Sequence, residues 1–102
     1  MGVLSKVATL QDILPGKAIA VTVGTKRIAI FNVEGKFFAV DDTCTHAGGS
    51  LCEGDVAGTV VTCPWHGATF NITSGEPLDD MASEPLQSYK VVVDGQDIKI
   101  EV

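Results

Sequence analysis

The hydrophobic pattern along the chain is short in period. Residues 18–23 are rich in β-branched side chains and stop at Gly24, a composition that favours a strand over a helix. Residues 27–33 follow, with Ile28 and Ile30 alternating with smaller or polar neighbours, and Glu34-Gly35 turns the chain into a further run over 36–41. Two hairpins in succession predict an antiparallel meander. At the other end, residues 89–93, a turn at Asp94-Gly95 and residues 97–102 predict a third hairpin, with Ile98, Ile100 and Val102 on one face and Lys99 and Glu101 on the other. Residues 11–14, stopped by Pro15-Gly16, have room for one helical turn. No long helix is predicted anywhere.

The middle of the chain reads differently. Gly48, Gly49, Gly54, Gly58, Gly67 and Gly75, with Pro64, Pro77 and Pro85, cut it into short pieces, leaving brief strands at 58–63 and 68–73. This predicts a small sheet that displays loops and is inserted into a larger β-scaffold. The length, 102 residues, supports one modest core. The expected organisation is a single all-β domain over residues 1–102. Its antiparallel β-sandwich base occupies about 1–40 and 87–102, and the loop-bearing subdomain about 41–86.

Charge sharpens this division. The chain carries seven Lys+Arg against thirteen Asp+Glu, a formal −6. Eight of those acids lie between Phe37 and Tyr89 (Asp41, Asp42, Glu53, Asp55, Glu76, Asp79, Asp80 and Glu84), where there is no Lys or Arg. The middle therefore sums to −8 and the flanks to +2. The sign argues against a nucleic acid partner and against an anionic membrane surface. Runs such as Ile28-Ala29-Ile30-Phe31 are far short of the ~20 residues that span a bilayer. The N-terminus shows no signal-peptide core, and Lys6 breaks the myristoylation pattern. Three cysteines, an odd number, disfavour a disulfide framework, so the expected compartment is the reducing cytoplasm. Asn71-Ile72-Thr73 matches a glycosylation sequon, which without a secretion signal is read as accidental.

The acidic middle also holds every cysteine and histidine. Cys44-Thr45-His46 and Cys63-Pro64-Trp65-His66, separated by 16 residues, use both histidines and two of the three cysteines. Thiolates with imidazoles select zinc, copper or an iron–sulfur centre over calcium or magnesium. A mononuclear zinc also accepts two Cys and two His. Zinc spacing, however, groups Cys with Cys and His with His. Here each loop supplies one of each, which suits a dinuclear cluster.

At these residues the sequence resembles the Rieske [2Fe–2S] family, whose pattern is C-x-H followed by C-x-x-H. Both halves match, including Gly67 after the second pair. The likeness extends through Gly75-Glu76-Pro77-Leu78 and Ala82-Ser83-Glu84-Pro85-Leu86, which is similar to the family's proline-containing third loop. The resemblance implies one [2Fe–2S] cluster per chain, with Cys44 and Cys63 on the buried iron and His46 and His66 on the outer iron. Two ferric ions, two sulfides, two thiolates and neutral imidazoles sum to zero, and to −1 after reduction. It also implies that Pro85, or else Pro77, shields the cluster.

The departures carry information too. Respiratory and photosynthetic members have a disulfide cysteine in each loop, where this chain has Gly49 and Trp65, and Ser and Tyr donors where this chain has Ala68 and Phe70. Fewer donors to the sulfurs imply a potential at the low end of the Rieske range. The chain is similar to the soluble ferredoxins of ring-hydroxylating dioxygenases and related non-haem iron oxygenases. That implies a one-electron carrier and not an enzyme, a monomer meeting a ferredoxin reductase and a terminal oxygenase transiently. The alternatives are the small Rieske subunit of an assimilatory nitrite reductase and a structural zinc-binding interaction module. Cys52 falls outside the pattern and is expected as a buried or half-exposed thiol. Trp65 is read either as only a lid over the loops or as a lid that also touches the redox partner. The acidic middle is either a solvated face or a steering surface for basic partners.

Overall fold

The computed structural model describes residues 4–42, 51–64, 67–78 and 85–101. Among them run β1 (Leu4–Thr9), β2 (Ala18–Val23), β3 (Lys26–Val33), β4 (Lys36–Asp41), β5 (Asp55–Ala57), β6 (Val60–Thr62), β7 (Thr69–Asn71), β8 (Ser88–Tyr89), β9 (Val91–Asp94) and β10 (Asp97–Glu101). Single 3-10 turns sit at Leu10–Asp12 and Leu51–Glu53. The strands pair antiparallel in three sheets of order β1-β10-β9, β2-β3-β4-β8 and β5-β6-β7. No helix among the described residues is long and apolar enough to cross a membrane.

The expected meander is present as β2-β3-β4, but its middle strand is not half-exposed. Ile28, Ala29, Ile30 and Phe31 are all fully buried. Side chains alternate across a strand, so the four divide between two cores. Ile28 and Ile30 pack with Ala39, Ile98, Ile100, Ala8 and Ile13. Ala29 and Phe31 pack with Val40, with Val61 and Phe70 of the small sheet and with Ile72 just after it. The central sheet is thus covered on both faces, and the small residue at position 29 faces a second layer instead of water.

Three strands were hidden from the pattern: β1, β5 and one of the two into which the run 89–93 divides. β1 pairs with β10 through a bulge between Lys6 and Ala8, which breaks the two-residue period by which a strand is recognised. The predicted run 89–93 is in fact two strands. Tyr89 pairs with Ala39 of the central sheet, while Val91 pairs with Ile100 of the outer one. The chain changes sheets at Lys90. The last turn is displaced by one residue: Asp94 pairs with Asp97, so Gly95 and Gln96 form the two-residue loop. Gly95 adopts φ 61° there, a conformation that glycine reaches without a Cβ clash.

Tyr89, the chain's one tyrosine, donates its hydroxyl to Asp41 Oδ1 at 2.6 Å, with Lys26 Nζ 5.5 Å from the ring centroid. Burial, and then the hydrogen bond to Asp41 and its charge, hold the phenol well above the ordinary tyrosine range. An unfolded chain releases this proton near pH 10, whereas the folded chain keeps it to higher pH. Above that point the native state binds more protons than the unfolded one. The stabilisation is therefore complete below about pH 10 and is lost as pH rises through the native pKa. Tyrosinate absorbance followed against pH is expected to rise only with alkaline unfolding, and a rise near pH 10 in folded protein would contradict it.

Candidate metal centre

Three stretches of chain begin or end at one buried cluster. Leu51 closes the stretch that follows Asp42, Cys63 and Ala68 flank residues 64–67, and Leu86 ends the stretch after Leu78. All four are buried together with Ala29, Phe31, Val40, Val61, Phe70 and Ile72. Positions far apart in sequence are thus brought into one buried layer against the small sheet.

Of the four candidate ligands, Cys63 is among the described residues. Cys44, His46 and His66 lie outside them, as do Gly49 and Trp65. Cys63 is 2% exposed. The β6–β7 ladder pairs Thr62 with Thr69, and Cys63 N donates to Ala68 O at 2.7 Å, one rung further. Pro64 and Gly67 bound the two residues between these strands that lie outside the described ones, and Gly67 has φ 76°. Ala68 and Phe70 are both buried in the same cluster as Cys63, as the alternation of β7 requires. Positions 68 and 70, neither of which carries a hydroxyl, face the cysteine's side of the sheet.

The sequence reading missed the residue that anchors the first loop. Asp42 is 1% exposed. Its carbonyl accepts from Leu51 N at 2.7 Å, and its Oδ1 from Cys52 N at 2.9 Å. Its own N–H donates to Arg27 O at 3.0 Å, and Oδ2 accepts from Arg27 Nε at 2.8 Å. The stretch 43–50, which contains Cys44 and His46, thus leaves and returns at one carboxylate. Arg27 is held above its ordinary pKa chiefly by this hydrogen bond, then by the charge of Asp42, with a smaller contribution from Cys52. Arg27 is the chain's one arginine, and the planar guanidinium suits a buried carboxylate. That rarity was the available signal.

The preceding acid secures the third stretch. Asp41 N donates to Gln87 O at 2.9 Å, and Asp41 Oδ1 accepts the Tyr89 hydroxyl. Leu78 N donates to Thr69 O at 2.9 Å, Pro77 bridges to Phe70, and Leu86 N donates to Gly75 O at 2.7 Å. Pro77 is half-buried and Pro85 exposed. The acidic middle is accordingly not one uniform face: Asp42 is buried in an ion pair and Asp41 is hydrogen-bonded, while Glu53, Asp55 and Glu76 are exposed. Asp79, Asp80 and Glu84 lie outside the described residues. Cys52 is half-buried beside Asp42, as expected.

Gly75 is the narrowest point of this assembly. It has φ 82°, and a Cβ there would fall on the Leu86 carbonyl oxygen. Gly16 has nearly the same φ, 81°, with nothing within 4 Å of its would-be Cβ. Gly75→Ala is expected to destabilise the fold by about 2–4 kcal/mol, and Gly16→Ala by about 1–2 kcal/mol from backbone strain alone. Denaturant unfolding of the two variants side by side measures the difference, and equal losses would remove the steric argument.

Comparison with known proteins shows the family. The Rieske [2Fe-2S] domain profile matches residues 3–90. The biphenyl dioxygenase ferredoxin subunit of Pseudomonas sp. (strain KKS102) is 36% identical over 98 residues, covering 95% of this chain and 90% of that protein. In a solved complex of reduced oxygenase and oxidised ferredoxin of carbazole 1,9a-dioxygenase, one chain superimposes with a TM-score of 0.88 at 36% identity, covering 95% of this chain and 91% of that one. A chain assigned provisionally as the small subunit of an NADH-dependent nitrite reductase from Mycobacterium tuberculosis reaches a TM-score of 0.90 over 100% of this chain and 96% of its own. At 21% identity that likeness shows the fold alone. A buried cysteine clustered with Leu51, Ala68 and Leu86, and a family profile that matches residues 3–90, lead to one assignment: this protein belongs to the Rieske [2Fe–2S] domain family.

Proposed function

We propose that this chain is the ferredoxin component of a ring-hydroxylating dioxygenase system, passing single electrons from a reductase to a terminal non-haem iron oxygenase. The observation that carries the reading is the convergence of Leu51, Cys63, Ala68 and Leu86 in one buried cluster, which supports a shared site built by the stretches they bound. Cys44, His46, Cys63 and His66 would hold a [2Fe–2S] cluster, the two thiolates on one iron and the two imidazoles on the other. The domain division follows it, with a base of about 1–40 and 87–102 carrying a cluster-binding part of about 41–86.

The donor set fits that cofactor. Cys63 sits among aliphatic and aromatic side chains, where a thiolate is costly unless a cation takes its sulfur. Two soft sulfur donors with two imidazoles are the combination that iron–sulfur chemistry uses. When bound, the cluster stores one electron at a time. The chain's own residues do the rest: the Cys63–Ala68 rung fixes the second loop, Asp42 fixes the base of the first, and apolar side chains keep water from the thiolate side. The chain performs no substrate chemistry of its own. It works as a monomer in the cytoplasm and meets its partners transiently, and the exposed Glu53, Asp55 and Glu76 contribute negative charge for steering.

Reconstitution tests this reading. Iron and acid-labile sulfide in stoichiometric amounts, a reduced-state EPR signal, and turnover by an aromatic-ring dioxygenase that depends on added chain are expected. Zinc without sulfide in freshly isolated protein would overturn it in favour of a structural module. Turnover that is unaffected by the chain would remove the oxygenase role while leaving the cluster.

A further inference from the structure

We infer that the Arg27–Asp42 ion pair is a positioning element of the metal centre, whose two opposite charges offset each other where the first ligand stretch begins and ends and hold the reduction potential where it is. This rests on the ligand assignment proposed above. Asp42 is 1% exposed and stands two residues before Cys44, so covalent geometry limits their Cα separation to about 7 Å. Its carbonyl, N–H and both carboxylate oxygens are engaged, with Leu51, Cys52 and Arg27. The carboxylate therefore does two things. It ties the outgoing and returning ends of the loop together, and it places a fixed negative charge near any electron that Cys44 and Cys63 help to bind.

Charges this close act strongly through a poorly solvated interior. The Asp42 carboxylate alone opposes an added electron, and the Arg27 guanidinium 2.8 Å away favours it. Together they offset each other in part, the exposed guanidinium being the more screened of the two. Removing one member takes away the opposite charge nearest the other, and a buried carboxylate that loses its cation is the costlier remainder. Arg27, with a side chain 58% exposed against 1% for Asp42, is the member that can be replaced with less disturbance of the core.

The potential is measured on cluster-loaded wild type, Arg27→Gln, Arg27→Lys, Asp42→Asn and the Arg27→Gln/Asp42→Asn double variant, by titration monitored in visible circular dichroism and EPR. Cluster loss to a chelator is timed in parallel. Arg27→Gln is expected to lower the potential and Asp42→Asn to raise it. The double variant is expected to return towards wild type, and Arg27→Lys to stay near it. Both single neutral variants are expected to lose the cluster several-fold faster. A purely structural pair would lower the unfolding midpoint in every variant and leave the potential unmoved, and that result overturns the inference without touching the ligand assignment. Should Asp42→Asn fail to load, the arginine variants decide: a wild-type potential in Arg27→Gln overturns it, and a lowered one restored by lysine supports it. A wild-type chain that takes up no iron and sulfide overturns both readings together.

Discussion

Cys63→Ser is expected to abolish the visible absorption and EPR signal of the protein and to remove its iron and acid-labile sulfide, while the chain still forms the β6–β7 hairpin. The two halves of this result have separate causes. Serine keeps the volume and the backbone N–H, so the 2.7 Å bond from residue 63 to Ala68 O and the Thr62–Thr69 pairing persist. What is lost is the soft donor, because an alkoxide is a poor partner for the metals that thiolates select. The apolar surroundings of position 63 add to the effect, since a hydroxyl there has lost the solvent that would stabilise its ionised form. Binding a metal that the unfolded chain does not hold contributes folding free energy directly. The variant is therefore expected to melt well below the loaded wild type and close to the wild type stripped of iron. Cys52→Ser is the matching control. Its backbone N–H still reaches Asp42 Oδ1, and full iron content is expected. Iron and sulfide analysis with a thermal scan on all three proteins checks this, and retention of the cluster by Cys63→Ser would remove that residue from the ligand set.

Much of the scaffold was readable because its hairpins are local. β2 and β4 have the predicted bounds and β3 begins one residue early, since each turn residue sits within a few positions of the strands it joins. What was not readable depends on contacts between distant segments. The burial of Ala29 follows from a second layer arriving at residues 51–72, and no period along residues 27–33 announces that. β1 needs the far end of the chain as its partner, and its bulge erases the alternation. At the site, the spacing of Cys and His was a strong signal because few chemistries need it. Asp42 was invisible for the opposite reason. An acid in a segment with eight of them reads as surface, and only the fold brings Arg27 to it from fifteen residues upstream. The charge asymmetry was real as arithmetic but misleading as a picture of the surface, because two of those carboxylates are engaged inside the structure.

Phe70→Tyr and Ala68→Ser are expected to raise the reduction potential, and the first to raise it more. Both positions are fully buried on the face that carries Cys63. Neither side chain has a donor, so no side chain at these positions offsets the charge of an added electron. A hydroxyl directed at a sulfur would strengthen its hydrogen bond as charge accumulates, stabilising the reduced state over the oxidised one. Hydrogen bonds to charged groups contribute about 1.5–3 kcal/mol, and one electron moved through 100 mV corresponds to about 2.3 kcal/mol. The upper bound for one new donor is therefore about 65–130 mV, reduced where the oxidised state already accepts the same bond. Packing decides whether the bound is approached. Phe70 lies against Pro77 through a β-bridge and against Val61 and Ile72 in the core, so the added oxygen either finds the sulfur or is buried without a partner. The second case costs about 1–3 kcal/mol of stability and leaves the potential where it was. Ala68→Ser adds a shorter side chain whose backbone is already fixed by the bond to Cys63 N, so its shift is smaller and its stability cost lower. Potentiometric titration of the loaded variants beside their unfolding curves separates these cases. A stability loss in Phe70→Tyr with an unchanged potential would show that position 70 does not look onto the cluster.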